Sequence, residues 1–174
     1  SKKAPLKAAP KGLKAGRGMV LNPKPLPGPQ KLQALVSRFY SEAGVDPLKK
    51  VSYRKGGCKI QEPNGDVVFE LNGVEVPESW SQLAVDILIS KYVRKAGVPK
   101  SGHEVSIRQV IQRIVGALRS FGEANGYFDA TEAELFENEL KFLLVNQYGA
   151  FNSPVWFNLG LWHSFGIQGS GGGF

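Results

Sequence analysis

Cysteine and histidine are nearly absent from this chain. Among 174 residues there is one cysteine, Cys58, and two histidines, His103 and His163. One thiol cannot close an internal disulfide, and it cannot build a thiolate metal site with two histidines 60 positions apart. Long apolar runs are missing as well. None approaches the roughly 18 residues that mark a membrane-spanning helix. The basic start has no apolar centre, so it does not read as a secretory signal, and a single Arg17 with few serines argues against a transit segment. These absences exclude a disulfide-stapled secreted scaffold, a zinc module and a membrane span. They lead us to expect a cytoplasmic protein with no metal site.

Acidic residues are missing from the first thirty positions, where seven Lys or Arg stand against no Asp or Glu. The rest of the chain carries 15 of each sign, so the net charge of +7 belongs to the start. Residues 1–30 also hold six of the eleven prolines, among them Pro23, Pro25, Pro27 and Pro29, which favour extended conformations. We expect a disordered basic tail there. Its lysines can hold phosphate backbones, yet no aromatic residues interleave with them to form a nucleic-acid reader, and a solvated extension is the plainer reading.

What remains is 42% apolar over the whole chain, enough for one core. Leu32, Leu35, Val36 and Phe39 have helical spacing over 31–43. Residues 51–76 form a small antiparallel β element turning at Asn64-Gly65, with a second turn signal at Asn72-Gly73. Pro77-Glu78-Ser79 opens a helix predicted to run to Gly97, with Trp80, Leu83, Ala84, Ile87 and Leu88 inward and Lys91, Arg94 and Lys95 at a solvated, dipole-matched end. A helix over 105–125 buries Ile107, Val110, Ile111, Ile114, Val115, Leu118 and Phe121, leaving Gln109, Arg113 and Arg119 in solvent. Thr131 and Glu134 fit a capping box, and the helix behind them turns Leu135, Phe136, Leu140, Leu143 and Leu144 inward. Cys58 reads as a small semi-buried thiol.

The densest stretch is Asn152-Ser153-Pro154-Val155-Trp156-Phe157-Asn158. Pro154 lacks an N–H and biases Ser153 toward an extended backbone. That would leave the Ser153 hydroxyl and nearby N–H groups open to a ligand oxygen, while Trp156 and Phe157 anchor the segment. The plainer reading is a helix start with Asn152 or Ser153 as cap and Pro154 in the first turn. A short helix or turn over 155–163 follows. The glycines around Ser170 could wrap a phosphate, but no Lys-Ser or Lys-Thr helix follows them, so they are not a P-loop.

Several words in order sharpen the reading: Trp80-Ser81-Gln82-Leu83-Ala84-Val85-Asp86-Ile87-Leu88, then Lys91-Tyr92-Val93-Arg94-Lys95-Ala96-Gly97-Val98-Pro99, Gly126-Tyr127-Phe128-Asp129, Asn146-Gln147-Tyr148-Gly149-Ala150-Phe151, and Asn152 to Asn158. With them, residues 51–174 resemble the amino-terminal part of adenosylcobalamin-dependent (class II) ribonucleotide reductases, with a shorter loop at 100–104. The resemblance implies a mainly α, helical N-terminal domain over 31–151 and the start of the catalytic α/β barrel at 152–174. In that family adenosylcobalamin generates a thiyl radical on a finger-loop cysteine, and a cysteine pair, a Glu and an Asn complete the reduction of a ribonucleotide.

Carried over by position, Asn152, Ser153 and Pro154 are the substrate-binding candidates, with Ser153 contacting the nucleotide. No catalytic residue is expected in this chain, and most of the cobalamin surface would lie outside it. Its expected partner is the remaining carboxy-terminal portion of the reductase, without which it would be inactive. The alternative is a reductase-derived module reused as a structural or nucleic-acid-associated protein through its basic tail.

Overall fold

A computed structural model describes residues 36–168. The basic tail, the first part of the helix predicted over 31–43 and the glycines around Ser170 lie outside these residues. Where the prediction over 31–43 can be read, residues 36–43 form bends and a turn, not a helix. The cause lies a hundred positions away. The Glu139 carboxylate accepts the N–H groups of Phe39, Tyr40 and Ser41 at 3.1, 3.0 and 2.8 Å and the Ser41 hydroxyl at 2.6 Å. Three consecutive N–H groups drawn to one carboxylate cannot also serve a helical ladder.

The architecture is mainly α with one two-stranded sheet. Strands β1 (Tyr53–Gln61) and β2 (Val67–Pro77) pair antiparallel. The expected turn is present, with Glu62 and Asp66 closing it through a 2.9 Å backbone hydrogen bond. The second turn signal is a bulge and not a turn. Gly56 pairs with Val74 and Gly57 with Asn72, so Gly73 is looped out at φ 79° inside a continuous strand. Glycine accepts that conformation without a Cβ penalty.

Helix α1 (Gln82–Ile87) starts at Ser81, whose hydroxyl accepts the Ala84 N–H at 3.2 Å. It passes into one π-helical turn, Leu88–Tyr92, and stops there, five residues before Gly97. Val93 is extended because the next residue is captured. Arg94 N–H donates to the Glu104 carboxylate at 2.9 Å, and Glu104 N–H donates to the Arg94 carbonyl at 2.8 Å. The predicted face is kept at Trp80 and Leu88, with Ala84 packed against the core, but Val85, Ile89 and Val93 are buried with them, whereas Leu83 is 70% exposed and Ile87 38%.

Helices α2 (Ile107–Ala124) and α3 (Ala130–Val145) form an antiparallel pair. The predicted apolar face of α2 is buried at Ile107, Val110, Ile111, Ile114 and Val115, but Phe121 is exposed. The capping box of α3 is Asp129 with Glu132, two residues before the predicted pair. Asp129 accepts the Thr131 and Glu132 N–H groups, both at 2.9 Å. Two short helices end the described chain, α4 (Ser153–Asn158) and α5 (Leu161–Phe165). One core joins Val74 and Val76 of the sheet, Val85 and Ile89, the α2 stripe, Leu144, Val145 and both Trp80 and Trp156. Trp80 is fixed by its indole N–H, which donates to the Val145 carbonyl at 2.8 Å.

Candidate functional site

The site is built around the start of α4. Asn152 takes the cap position with an extended backbone (φ −67°, ψ 160°), but its side chain makes no capping bond, and Pro154 sits in the first turn. The plain helix-start reading therefore describes the backbone, and Ser153 is helical instead of extended. The Ser153 hydroxyl points instead at a partner the sequence did not suggest. Its Oγ lies 3.0 Å from the Tyr92 hydroxyl, at the end of the π-helical turn. Asn152, Ser153 and Pro154 are all exposed, so the three predicted residues share one accessible corner with Tyr92.

Trp156, one turn on, is buried and stacks on Tyr92 with ring centroids 5.7 Å apart, while Phe151 meets it edge-on at 6.4 Å. Its role is packing, as expected. Phe157 faces outward, more than a third exposed, and does not anchor the segment. A groove of about 220 Å³ beside the pair is lined by Trp80, Ala84, Ile87, Tyr92, Phe151 and Trp156 among others.

What holds this corner in place is Arg113. We expected it in solvent, and it is 1% exposed. Its guanidinium donates to Glu104 Oε1 at 2.7 Å and to the carbonyls of Trp156 at 2.6 Å, Leu159 at 2.7 Å and Tyr92 at 3.3 Å. A planar fork of five donors suits this task, and it explains how so polar a group can be buried. Both elements that carry the hydroxyl pair, the π-helical turn and α4, are thereby tied to the same side chain. The chain can approach this closely because position 160 is glycine. At φ 80°, a Cβ there would collide with the Arg113 carbonyl. One sequence signal for Arg113 existed: it lies three residues after Val110, at the edge of the apolar stripe.

Cys58 is buried on β1. Burial pushes its thiol above the ordinary value, and the neighbouring Asp86 adds to the rise. A thiol held protonated in this way is a poor nucleophile. A larger cleft of about 520 Å³ lies between the hairpin and α2, where Arg108 donates to Glu75 at 2.6 and 2.9 Å. Ordinary drug-sized ligands take pockets of about 300–1,000 Å³. A corrinoid is larger, and neither this charged cleft nor the 220 Å³ groove offers the broad face it needs. These two cavities do not fit a cobalamin. No helix among the described residues is long and apolar enough to cross a membrane.

Comparison with known proteins gives this corner its context. The family model described as class II vitamin B12-dependent ribonucleotide reductase matches residues 54–147, ending just before Asn152. The chain is 42% identical over 153 residues to the vitamin B12-dependent ribonucleotide reductase of Streptomyces coelicolor, which covers 86% of this chain. To the protein of the same name from Rhodopirellula baltica it is 40% identical over 136 residues, covering 76% of this chain. To that of Bradyrhizobium diazoefficiens it is 35% identical over 171 residues, covering 79%. The chain spans only 13–14% of the length of these relatives.

Proposed function

Because the chain belongs to the class II vitamin B12-dependent ribonucleotide reductase family, we propose that it supplies the amino-terminal region of a cytoplasmic enzyme that reduces ribonucleotides to deoxyribonucleotides. In this reading Ser153 contacts the substrate nucleotide. Asn152 and Pro154 shape the backbone around it, and Tyr92 and Arg113 fix its position. The observation that carries the reading is the exposed hydroxyl pair Ser153–Tyr92, 3.0 Å apart, on two elements clamped by one buried arginine. A hydroxyl whose position is set from behind by packing can meet a ligand oxygen without a large ordering cost.

The thiyl-radical chemistry belongs to cysteines this chain does not supply. Its one thiol is buried and held protonated, and reduction calls for a reactive cysteine and a redox pair. Adenosylcobalamin is accordingly assigned to the remaining carboxy-terminal portion of the reductase, which is the partner this chain requires. Alone, it is inactive.

The test is reconstitution. This chain is combined with a class II reductase portion supplying the remaining sequence, adenosylcobalamin, a dithiol and a ribonucleotide, and deoxyribonucleotide is measured. Turnover should require both parts. Ser153→Ala should lower kcat/KM by about 2–10-fold, the equivalent of one neutral hydrogen bond. An assembled, active enzyme indifferent to Ser153→Ala would remove the substrate role of Ser153. A chain that neither associates nor restores turnover would remove the reading as a whole.

A further inference from the structure

Lys91, Arg94 and Lys95 read from sequence as a solvated helix end. The helix stops at Tyr92 and Val93 is extended, so Arg94 and Lys95 lie beyond it, and of the two only Lys95 reaches back to a last-turn carbonyl. Together with Lys91 they line a cleft of about 230 Å³, whose other walls are Tyr92, Val93 and Phe157. No acidic side chain lines this cleft. Among the described residues, none of the three cations forms an ion pair, although most other arginines and several lysines do.

Two of the cations are tied back to main-chain carbonyls close in sequence. Arg94 Nε donates to the Ala96 carbonyl at 2.9 Å, and Lys95 Nζ donates to the Ser90 carbonyl at 2.7 Å. These bonds restrict long side chains that would otherwise spread into solvent. They leave the two terminal amino groups of Arg94 without a protein acceptor among the described residues. Lys95 Nζ also sits over the Phe69 ring, 5.2 Å from its centroid and away from the cleft walls, which leaves Lys91 and Arg94 as the cations available to it. Two like charges beside one concave surface repel one another unless an anion offsets them. Tyr92 is shared by this cleft and by the hydroxyl pair with Ser153.

We propose that this cleft binds the phosphate groups of a nucleotide, through Lys91 and Arg94, with Tyr92 joining it to the Ser153 corner. Its volume decides how much of the ligand enters. At about 230 Å³ it falls below the roughly 300–1,000 Å³ of pockets that enclose whole small molecules. It therefore takes the charged group and leaves the nucleoside outside, beside Phe157. The preference for an anion stands on the cleft alone, whereas the choice of a nucleotide as its carrier rests on the proposed function above.

Equilibrium dialysis of this chain against pyrophosphate, ADP and adenosine tests the assignment. Pyrophosphate and ADP should bind, adenosine should not, and binding should weaken as salt rises. Lys91→Gln and Arg94→Gln should each weaken ADP at least about tenfold, a factor worth about 1.4 kcal/mol, with far-UV circular dichroism unchanged. Lys91 is exposed and makes no side-chain hydrogen bond or ion pair among the described residues, so its variant tests the cleft without loosening the fold. Adenosine binding as tightly as ADP, no binding of either anion, or ADP binding unchanged in Lys91→Gln would each overturn the proposal. The last result would assign the anion to the basic residues 1–30. Ser153→Ala separates the two readings. Dialysis lost only in the Lys91 and Arg94 variants, with reconstituted turnover indifferent to Ser153→Ala, keeps the cleft and discards Ser153. The reverse pattern keeps Ser153 and discards the cleft.

Discussion

Arg113 and Arg119 lie six positions apart on α2, and each meets a buried glutamate, yet the two clusters are built differently. Arg113 and Glu104 are both shielded from water, and the guanidinium gives most of its remaining bonds to main-chain carbonyls of other elements. Arg119 stays one-third exposed and bonds only side chains, Glu137 and Glu123, while Glu137 also accepts from Gln112 at 3.0 Å and pairs with Lys141 at 2.7 Å. The first cluster positions backbone, and so it determines where α4 and the π-helical turn stand. The second fastens two helices that already pack through apolar faces. A side chain that holds main-chain groups of several elements transmits its loss directly to the functional corner. A side-chain network loses stability but leaves the geometry near Ser153 largely as it was.

The largest effect should follow removal of the first arginine. Arg113→Met leaves Glu104 buried without its partner and frees three carbonyls, a loss of about 3–5 kcal/mol in denaturant unfolding. Amide hydrogen exchange should rise first at the α4 amides from Trp156 to Leu159. Adding Glu104→Gln should return part of the stability, because the uncompensated charge disappears, but not the protection of α4. If the double variant regained both, the positioning role would be wrong and the pair would be a matter of charge balance alone.

The second cluster should respond less, and mainly to pH. Burial alone would raise the Glu137 carboxyl, but hydrogen bonds from Lys141, Arg119 and Gln112 outweigh it and bring the value down to about 2 from 4.5. Since the folded value is the lower one, the cluster stabilises fully above the unfolded value. That contribution is lost as pH falls from about 4.5 toward 2. Glu137→Gln should cost about 1–3 kcal/mol at neutral pH, and the gap from the parent should close across that acid window. Protection at α4 should be unchanged throughout. A pH-independent gap would mean that Glu137 contributes through packing and not through its charge.

The two clusters also mark how far the sequence could be read. Local signals were reliable: the Asn64-Gly65 turn, the α2 stripe from Ile107 to Val115, Trp156 as a packing residue, and the order of words that tied the chain to its family. The capping box and the bulge at Gly73 were local misreadings, whereas three larger ones share one cause, a partner outside the local pattern. Glu139 reshapes 39–41 from a hundred positions away. Glu104 and Arg94 end α1 early by offering each other hydrogen bonds that the helix would have used. Arg113 follows Val110 on the apolar edge, yet only its carbonyl partners on α4 and the π-helical turn reveal why a cation belongs there. The hydroxyl pair was half legible. Ser153 stood out for its neighbours, whereas Tyr92, 61 positions earlier, had no local mark.

Leu83 separates the two accounts of α1 most sharply, through the smallest effect. A stripe of Trp80, Leu83, Ala84, Ile87 and Leu88 would place Leu83 in the core, where truncation costs about 2–5 kcal/mol. The fold instead adds Val85, Ile89 and Val93 to the buried set, because β1 and β2 pack against α1 and the π-helical turn, and leaves Leu83 70% exposed. Leu83→Ser should therefore change stability by less than about 0.5 kcal/mol, while Ile89→Ala, six positions on, should show the full core penalty. If urea unfolding ranked the two the other way, the helix would be rotated by about a third of a turn. Tyr92 would then leave Trp156, and the hydroxyl pair on which the site is built could not form.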